Sequence, residues 1–176
     1  MICFTERGAW VCRRLFHKLK ETGEECEAII PKRFLREEWK KEGLKEREEE
    51  FLSQWTGKMF AEKRAMIFVS ATGIAVRAIA PWIRDKMTDP PVVTVDEGAQ
   101  FVIPLLSGHV GGANELARHI ADWLEAVPVI TTATDVNGKF AVDLFASAYH
   151  MTIIDRKEAK NISAAVLEGK QIGVFS

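Results

Sequence analysis

Short apolar segments alternate with amphipathic helical segments along the 176 residues of this chain. The clearest apolar segment, AMIFVS at 65–70, is continuous, which is typical of a strand buried on both faces of a parallel sheet. Strands that alternate with helices need crossover connections, and these favour an open, mainly parallel sheet with helices on both faces. The pattern therefore predicts an α/β fold of the Rossmann or flavodoxin type, a three-layer sandwich.

The individual strands and helices follow from periodicity and from the positions of glycine and proline. Strands are expected at 1–4, 26–30, 65–70, 91–96, 100–106, 127–132, 151–155 and 170–176. Helices are expected at about 6–21, 73–79, 112–124, 140–150 and 158–169. The highly charged stretch 36–50 is expected to be solvated and to lead into a helix that turns five side chains inward, namely Phe51, Leu52, Trp55, Met59 and Phe60.

Three segments describe the expected domain organisation. Residues 1–64 form a strand, a helix, a strand and the charged helix, all part of one α/β unit. Residues 65–150 form a central region that carries the candidate site. Residues 151–176 form a last strand, helix and strand, and because the final strand would normally lead onward, we expect it to continue into a further domain.

Composition excludes several classes of function. A formal net charge of -1 argues against a nucleic-acid partner held by bulk charge. The apolar segments are shorter than the roughly 20 residues that a membrane span needs, so no membrane partner is expected. The three cysteines, Cys3, Cys12 and Cys26, have no metal-binding or redox spacing and are expected to act as small buried side chains. Together with the absence of a signal peptide pattern, this indicates a cytoplasmic protein.

The usual nucleotide and hydrolase motifs are missing from the sequence. It contains no G-x-G-x-x-G, and no Gly-Lys pair is followed by the Ser or Thr of a P-loop. It also contains no G-x-S-x-G elbow, and the four histidines lack a zinc-binding spacing, so no protein-bound metal is expected. These absences argue against a standard ATP, dinucleotide or zinc site.

Four loops at predicted strand ends remain as candidates, because ligands of open α/β sheets bind beyond the carboxyl ends of the strands. They are VSATG at 69–73, VDEGAQ at 95–100, TTATD at 131–135 and LLSGHVGGAN at 105–114. In the last of these, the helix that begins near Gly112 could attract an anion. Glycines in a turn before a helix also have a purely structural explanation, and Asn114 is expected to cap the helix.

His109 is the strongest candidate for chemistry, because a turn does not require an imidazole. Its ordinary pKa near 6.5 suits a general base at neutral pH. Asp96 or Glu97 could orient it, although both residues are also common turn formers. Arg77 could bind a substrate carboxylate bidentately. The remaining candidate substrate-binding residues are Thr72, Gly73, Ser107, Gly108, Gly111, Gly112, Asn114, Thr131, Thr132, Thr134 and Asp135.

Four motifs in order resemble the cobalt-precorrin 5A hydrolase family of anaerobic cobalamin biosynthesis. They are ATGIAVR at 71–77, DKMTDPPVVTVDE at 85–97, LLSGHVGGAN at 105–114 and TTATD at 131–135. The resemblance covers about residues 65–138, with one departure at Ser70, where the family most often has glycine. The segment before residue 65 is compatible with the family but not specific to it.

The resemblance implies a reaction and a substrate. Members of the family open the δ-lactone on ring A of cobalt-precorrin 5A and release the two-carbon fragment from C20 as acetaldehyde, which gives cobalt-precorrin 5B. The substrate carries the cobalt, so no cofactor is implied. Family members usually have a further C-terminal domain. Other enzymes of the cobalamin pathway and a second copy of the chain are further partners that the sequence leaves open.

The residues and the resemblance together suggest a mechanism. We expect His109 to be the general base, oriented by Asp96 or Glu97, and the N–H groups of Gly111 and Gly112 to bind the oxyanion. Two other classes of function stay open. One is a non-catalytic tetrapyrrole-binding module whose chemistry requires a missing C-terminal domain. The other is a sugar-phosphate or nucleotide-binding domain of similar architecture.

Overall fold

A computed structural model describes residues 1–47, 51–149 and 151–173. The strands are β1 (Ile2–Cys3), β2 (Ile29–Pro31), β3 (Lys45–Arg47), β4 (Met66–Val69), β5 (Val92–Val95), β6 (Phe101–Leu106) and β7 (Val127–Pro128). The helices are α1 (Glu6–Glu21), α2 (Glu37–Glu42), α3 (Phe51–Ala61), α4 (Thr72–Ile79), α5 (Ala113–Leu124), α6 (Ala133–Val136), α7 (Val142–Ala148) and α8 (Arg156–Leu167). Short 3-10 turns follow β2 and α4.

The strands form one seven-stranded sheet in the order β3-β2-β1-β4-β5-β6-β7. The first five strands in this order are parallel to one another. β6 is antiparallel to β5, and β7 is parallel to β6. The predicted α/β fold with a mainly parallel sheet is confirmed. The strand order has its switch point between β1 and β4, because the chain proceeds from β1 outward to β2 and β3 and then returns to β4.

The reversal of β6 follows from the length of the connection before it. Only residues 96–100 separate β5 from β6. A parallel partner would need a crossover of a dozen or more residues, whereas a hairpin needs only a few. The Asp96 carboxylate closes the turn by accepting from the N–H groups of Gly98 at 2.9 Å, Gln100 at 2.8 Å and Phe101 at 2.6 Å.

The core lies on both faces of this sheet, as a doubly covered sheet requires. Along β4, Ile67 and Val69 face the cluster formed with α1 and α5, whereas Met66 and Phe68 face the cluster formed with α3 and α4. All four side chains are buried. This explains the continuous apolar run at 65–70. Successive side chains of a strand point to opposite faces of the sheet, and both faces are covered by a core.

Contacts divide the chain into two compact units, Met1–Val129 and Ile130–Ser176. The division falls within the expected central segment 65–150, while β1, β2 and β3 share one sheet with the later strands. The second unit contains α6, α7 and α8. The side chain of Asp155 caps α8 by accepting from the N–H groups of Lys157 and Glu158.

Three local predictions are wrong. The charged stretch is not merely solvated, since it contains α2, which buries Trp39, and β3, which pairs with β2; its residues 48–50 lie outside the described part of the chain. No strand forms at 151–155, and none forms at 170–173, whereas 174–176 are not described. Residues 151–155 have the composition of a strand but find no pairing partner among the described residues.

Other predicted elements agree with the structure. α1 has the predicted bounds, and it begins where the Thr5 hydroxyl accepts a hydrogen bond from the Gly8 N–H at 3.0 Å. The inward face predicted for α3 is confirmed at Trp55 and Met59, which are buried. Cys3 and Cys12 are buried, and all three cysteines are free thiols. In the described ranges, no helix combines the length and the apolar character that a membrane crossing needs.

An ion cluster fastens α1 to α2 and gives a pH-dependent contribution to stability. Arg13 donates to both carboxylate oxygens of Glu42 at 2.7 Å, and His17 lies 3.0 Å from the same carboxylate. The Arg13 guanidinium, with a smaller contribution from His17, lowers the pKa of Glu42 from 4.5 to about 2. Because the folded pKa is the lower one, the stabilisation is complete above pH 4.5 and is lost as pH falls toward 2.

Glu42→Gln should therefore lower the urea midpoint of unfolding at pH 6 and change it much less at pH 2.5. Urea titrations of both proteins at the two pH values measure this difference. Glu38→Gln, on the same helix, is the matched control. The difference between its urea midpoint and that of the unaltered chain should not shrink between pH 6 and pH 2.5. A Glu42→Gln effect of equal size at both pH values would contradict the assignment.

Candidate functional site

Two edges of the sheet carry the residues that the sequence singled out. At one edge, the parallel strands β4 and β5 end, and Thr72, Gly73, Asp96 and Glu97 follow them. The glycine-rich loop lies at the opposite edge, because β6 runs antiparallel and its last residue, Leu106, pairs with the first residue of β5. The expectation that all four loops gather at the carboxyl ends of parallel strands is therefore wrong.

The loop between β6 and α5 is held in one conformation by its glycines. A Cβ on Gly111 would lie 2.3 Å from the Cβ of Ser107 and 2.7 Å from its carbonyl oxygen. A Cβ on Gly108 would lie 2.7 Å from the side-chain oxygen of Asn114. Gly112 has a φ of 84°, in the left-handed region that favours glycine. Each glycine thus allows a close approach or a backbone conformation that another residue would disturb.

Ser107 anchors the start of this loop. It is buried, and its hydroxyl donates to the backbone carbonyl of Asp89 at 2.8 Å. Its φ of 56° is unusual for a residue other than glycine and costs roughly 1–2 kcal/mol. The hydroxyl is committed to this structural bond, so the predicted role of Ser107 in binding substrate receives no support from the geometry.

Three N–H groups at the junction of the loop and α5 already form hydrogen bonds. Gly112 donates to the His109 carbonyl at 2.8 Å, Ala113 donates to Ser107 at 3.1 Å, and Asn114 donates to Gly108 at 3.0 Å. The prediction that Gly112 offers its N–H to an oxyanion is therefore wrong. Among the described residues, the Gly111 N–H has no hydrogen-bond partner, so it stays as the candidate donor.

Asn114 is also placed differently from the prediction. Gly112 is the N-terminal cap of α5, and Asn114 is the second helical residue rather than the cap. Its side chain is buried against Gly108. Asn114 therefore packs the loop against the helix, and this packing explains why a glycine occupies position 108.

A cavity of about 590 Å³ opens beside the loop, within the first unit. Gly111 and Gly112 line it together with Trp55, His119 and Trp123 from the neighbouring helices. Three carboxylates also line it, those of Glu24, Glu25 and Glu27. Lys45 forms an ion pair with Glu27 and lowers the pKa of that carboxyl. Arg64 also lines it, so the cavity combines aromatic side chains with charged groups of both signs.

His109 lies in the loop, partly buried. The hypothesis that Asp96 or Glu97 orients it is wrong, because these residues lie at the other end of the β5–β6 hairpin. The four paired residues of β5 separate the two ends of the hairpin, and they span a length of about 10 Å. The Asp96 carboxylate is in addition occupied by the turn. His109 as a general base stays a prediction.

Arg77 lies at the edge opposite His109. Its guanidinium donates to the carbonyl of Gly73, one turn earlier in α4, at 3.1 Å. Thr72 is the first residue of that helix. Arg77 and His109 therefore lie toward opposite ends of the strands, and the expected pairing of both residues with one substrate stays a prediction.

The four remaining predicted residues, Thr131, Thr132, Thr134 and Asp135, belong to the second unit. There, the Thr132 hydroxyl donates to the Asp135 carboxylate at 2.6 Å, at the start of α6. Thr134 is buried. Asp135 thus lies in the short helix α6, and the role of these residues in binding substrate stays a prediction.

Sequence reasoning missed two residues that shape the two edges. Asp89 was not singled out, although its backbone carbonyl accepts a hydrogen bond from the Ser107 hydroxyl. Its position in the motif at 85–97 was the only indication of its importance in the sequence. Arg47 lies in the charged stretch, where no strand was predicted. As the last residue of β3, it lies at the edge of the sheet where the parallel strands end. Among the described residues, no three His, Cys, Asp or Glu side chains cluster as a metal site.

Known proteins resemble this chain in sequence. Residues 54–135 match the family model for Cobalamin synthesis G N-terminal. The chain is 47% identical over 117 residues to cobalt-precorrin-5A hydrolase of Salmonella typhimurium and 42% identical over 116 residues to that of Priestia megaterium. The matches cover 66% of this chain but 33% and 31% of those proteins. The chain thus spans about a third of the length of the curated relatives it matches.

One solved structure agrees with this result over nearly the whole chain. A cobalamin biosynthesis protein G homologue from Sulfolobus solfataricus aligns with a TM-score of 0.52 at 25% identity, over 99% of this chain and 49% of that chain. The family match includes all four motifs on which the resemblance was based. Residues 54–135 of the chain are therefore similar to the Cobalamin synthesis G N-terminal family.

Proposed function

We propose that this chain acts in cobalamin biosynthesis as a cobalt-precorrin-5A hydrolase. In this reaction the δ-lactone of cobalt-precorrin 5A is opened and acetaldehyde leaves, which gives cobalt-precorrin 5B. The observation that carries the proposal is the 47% identity over 117 residues to the Salmonella typhimurium enzyme of that name. The cobalt-containing tetrapyrrole enters as the substrate.

The reaction requires one water and a proton carrier. The water oxygen bonds to the acyl carbon of the lactone, and the bond from that carbon to the ring oxygen breaks. The freed alcohol then becomes the carbonyl of acetaldehyde as its carbon–carbon bond to the macrocycle breaks. The electron pair of that bond remains on the macrocycle, which takes up a proton. A group that removes a proton first from water and then from the alcohol supports both steps.

His109 is the residue we assign to that proton transfer. It lies in the loop where the Gly111 N–H is available to an oxyanion, and Gly111 lines the adjoining cavity. A single donor of this kind stabilises a tetrahedral intermediate by about 3–4 kcal/mol in well-formed oxyanion sites.

Incubation of the purified chain with cobalt-precorrin 5A tests the proposal. We expect stoichiometric release of acetaldehyde, measured by coupled oxidation of NADH with alcohol dehydrogenase, and conversion of the macrocycle, followed by its absorption spectrum. Spectral evidence of binding without acetaldehyde would favour the non-catalytic tetrapyrrole-binding module instead. Absence of both binding and turnover would overturn the proposal.

A further inference from the structure

Ser107 lies at the start of the loop that carries His109, and its backbone conformation is costly. Its φ is 56°, in the left-handed region where glycine is the usual residue. The same loop has glycine at positions 108, 111 and 112. The chain therefore places a serine where glycine would remove backbone strain. A strained residue beside a candidate catalytic group indicates a function for its side chain.

The Ser107 hydroxyl makes a contact that glycine could not make. It donates to the backbone carbonyl of Asp89 at 2.8 Å, and this hydrogen bond is buried. The net stability that one hydrogen bond contributes is of the same order as the cost of a left-handed residue, so the two nearly cancel. Global stability therefore does not account for the serine. What the hydroxyl adds is a fixed connection between the loop and the segment that precedes β5.

The carbonyl that accepts this hydrogen bond is itself held in place. The buried Asp89 carboxylate accepts from the Arg84 N–H at 2.9 Å, and the Asp89 N–H donates to the Asp85 carbonyl at 2.8 Å. Two prolines follow Asp89 directly in the sequence. A residue before proline is restricted to extended backbone. The turn before Asp89 and the prolines after it thus determine where its carbonyl points.

Ser107 also closes the loop onto α5. Its carbonyl accepts from the Ala113 N–H at 3.1 Å, and its Cβ would lie 2.3 Å from a Cβ built on Gly111. His109 lies between these contacts, two residues after Ser107. The hydrogen bond to Asp89 therefore gives the closed loop a lateral attachment, in addition to its chain connections to β6 and α5.

We propose that Ser107 and Asp89 are positioning residues for His109. Ser107 holds the start of the loop against the Asp89 carbonyl, and the Asp89 carboxylate keeps that carbonyl in place. Both residues act through the loop and do not touch the substrate. This inference rests on the proposed function, in which His109 transfers protons and the Gly111 N–H binds the oxyanion. A displacement of about 1 Å at such groups can lower a rate by about 10²-fold.

Ser107→Ala and Ser107→Gly, assayed with cobalt-precorrin 5A, test the role of the hydroxyl. Both variants lose the hydrogen bond to Asp89, but only glycine also relieves the left-handed backbone, so Ser107→Gly should have the higher thermal midpoint. We expect both to lower kcat for acetaldehyde release by about tenfold or more. KM should change less than about threefold, because the positioned groups act mainly in the transition state. If Ser107→Gly is as active as the unaltered chain, the positioning role is wrong.

Two substitutions at Asp89 separate geometry from charge. Asp89→Asn keeps a side-chain oxygen that can accept from the Arg84 N–H, whereas Asp89→Ala keeps none. We expect Asp89→Ala to lower kcat by about tenfold and Asp89→Asn to retain at least about half of it. An equal loss in both variants would show that the negative charge, rather than the hydrogen bond, is required and would overturn the assignment of Asp89. Full activity of Asp89→Ala would overturn it as well.

Thr56→Ala is the matched control for the loss of a buried hydroxyl. The Thr56 side chain is buried on α3 and donates to the Leu52 carbonyl at 2.7 Å. Its removal should lower the thermal midpoint while kcat stays within about twofold of that of the unaltered chain. A loss of kcat as large as in Ser107→Ala would mean that general destabilisation, not the position of His109, explains the effect of Ser107.

A measurement without substrate separates this inference from the proposed function. NMR spectra of isotope-labelled histidine, with the His109 signals assigned from His109→Gln, report the environment and order of the loop. We expect Ser107→Ala and Ser107→Gly to shift and broaden the His109 imidazole signals and to leave those of His17 unchanged. If this occurs but the unaltered chain releases no acetaldehyde, the loop attachment stands and the hydrolase proposal fails. Unchanged His109 signals would overturn the attachment, whether or not the chain is a hydrolase.

Discussion

Replacing His109 with alanine should lower the rate of acetaldehyde release from cobalt-precorrin 5A by about 10²- to 10⁴-fold, the usual contribution of a positioned general base. His109→Gln should cause a loss of similar size, because glutamine keeps polarity and hydrogen-bonding capacity but cannot accept a proton at neutral pH. Steady-state rates of the two variants, each compared with the unaltered chain at saturating substrate, measure the effect.

His119 provides the matched control for this experiment. It lies on α5, it is exposed, and it is 3.7 Å from Glu115. His119→Ala removes an imidazole at the rim of the same cavity and should change the rate less than about threefold. Rates within about threefold of the unaltered chain for both His109 variants would exclude His109 as the base.

Gly111→Ala should destabilise the loop and the protein by about 3 kcal/mol. The new methyl group would overlap with the Cβ of Ser107 at 2.3 Å and with its carbonyl oxygen at 2.7 Å. Ser107 cannot easily move away, because it is buried and bonded to the Asp89 carbonyl. Overpacking against a fixed backbone usually costs about 1–3 kcal/mol, and relief here requires the loop to shift. Urea unfolding curves give the free energy directly.

Gly112→Ala separates crowding from backbone strain. Nothing lies within 4 Å of the position that its Cβ would occupy, but its φ is 84°. The cost should therefore be only the left-handed conformation, about 1–2 kcal/mol. Equal destabilisation by the two substitutions would show that close packing at Gly111 is not the cause.

Periodicity was sufficient to predict the α/β architecture and most of its elements. The alternation of buried faces along β4 and the amphipathic pattern of α1 are local properties that are visible in the sequence. The segment 151–155 has the same apolar character but forms no strand. A strand needs a partner as well as a composition, and pairing depends on residues far away in the chain.

The direction of β6 was the error with the largest consequence for the site. Counting the end of β6 among the carboxyl ends of the parallel strands placed His109 beside Asp96 and Arg77, whereas the antiparallel pairing separates them. The signal was present in the sequence, because the five residues from 96 to 100 are too few for a crossover. Arg47 could not have been found in this way, since the charges around it concealed a strand.

The two outermost strands also determine how the sheet ends. β3 presents Lys45, Glu46 and Arg47, and β7 is only two residues long and includes Pro128, which has no N–H to offer. Charged and very short outer strands are how natural proteins prevent uncontrolled growth of a sheet from molecule to molecule. Both borders of this sheet therefore resist the strand-to-strand aggregation to which its apolar central strands would otherwise be prone.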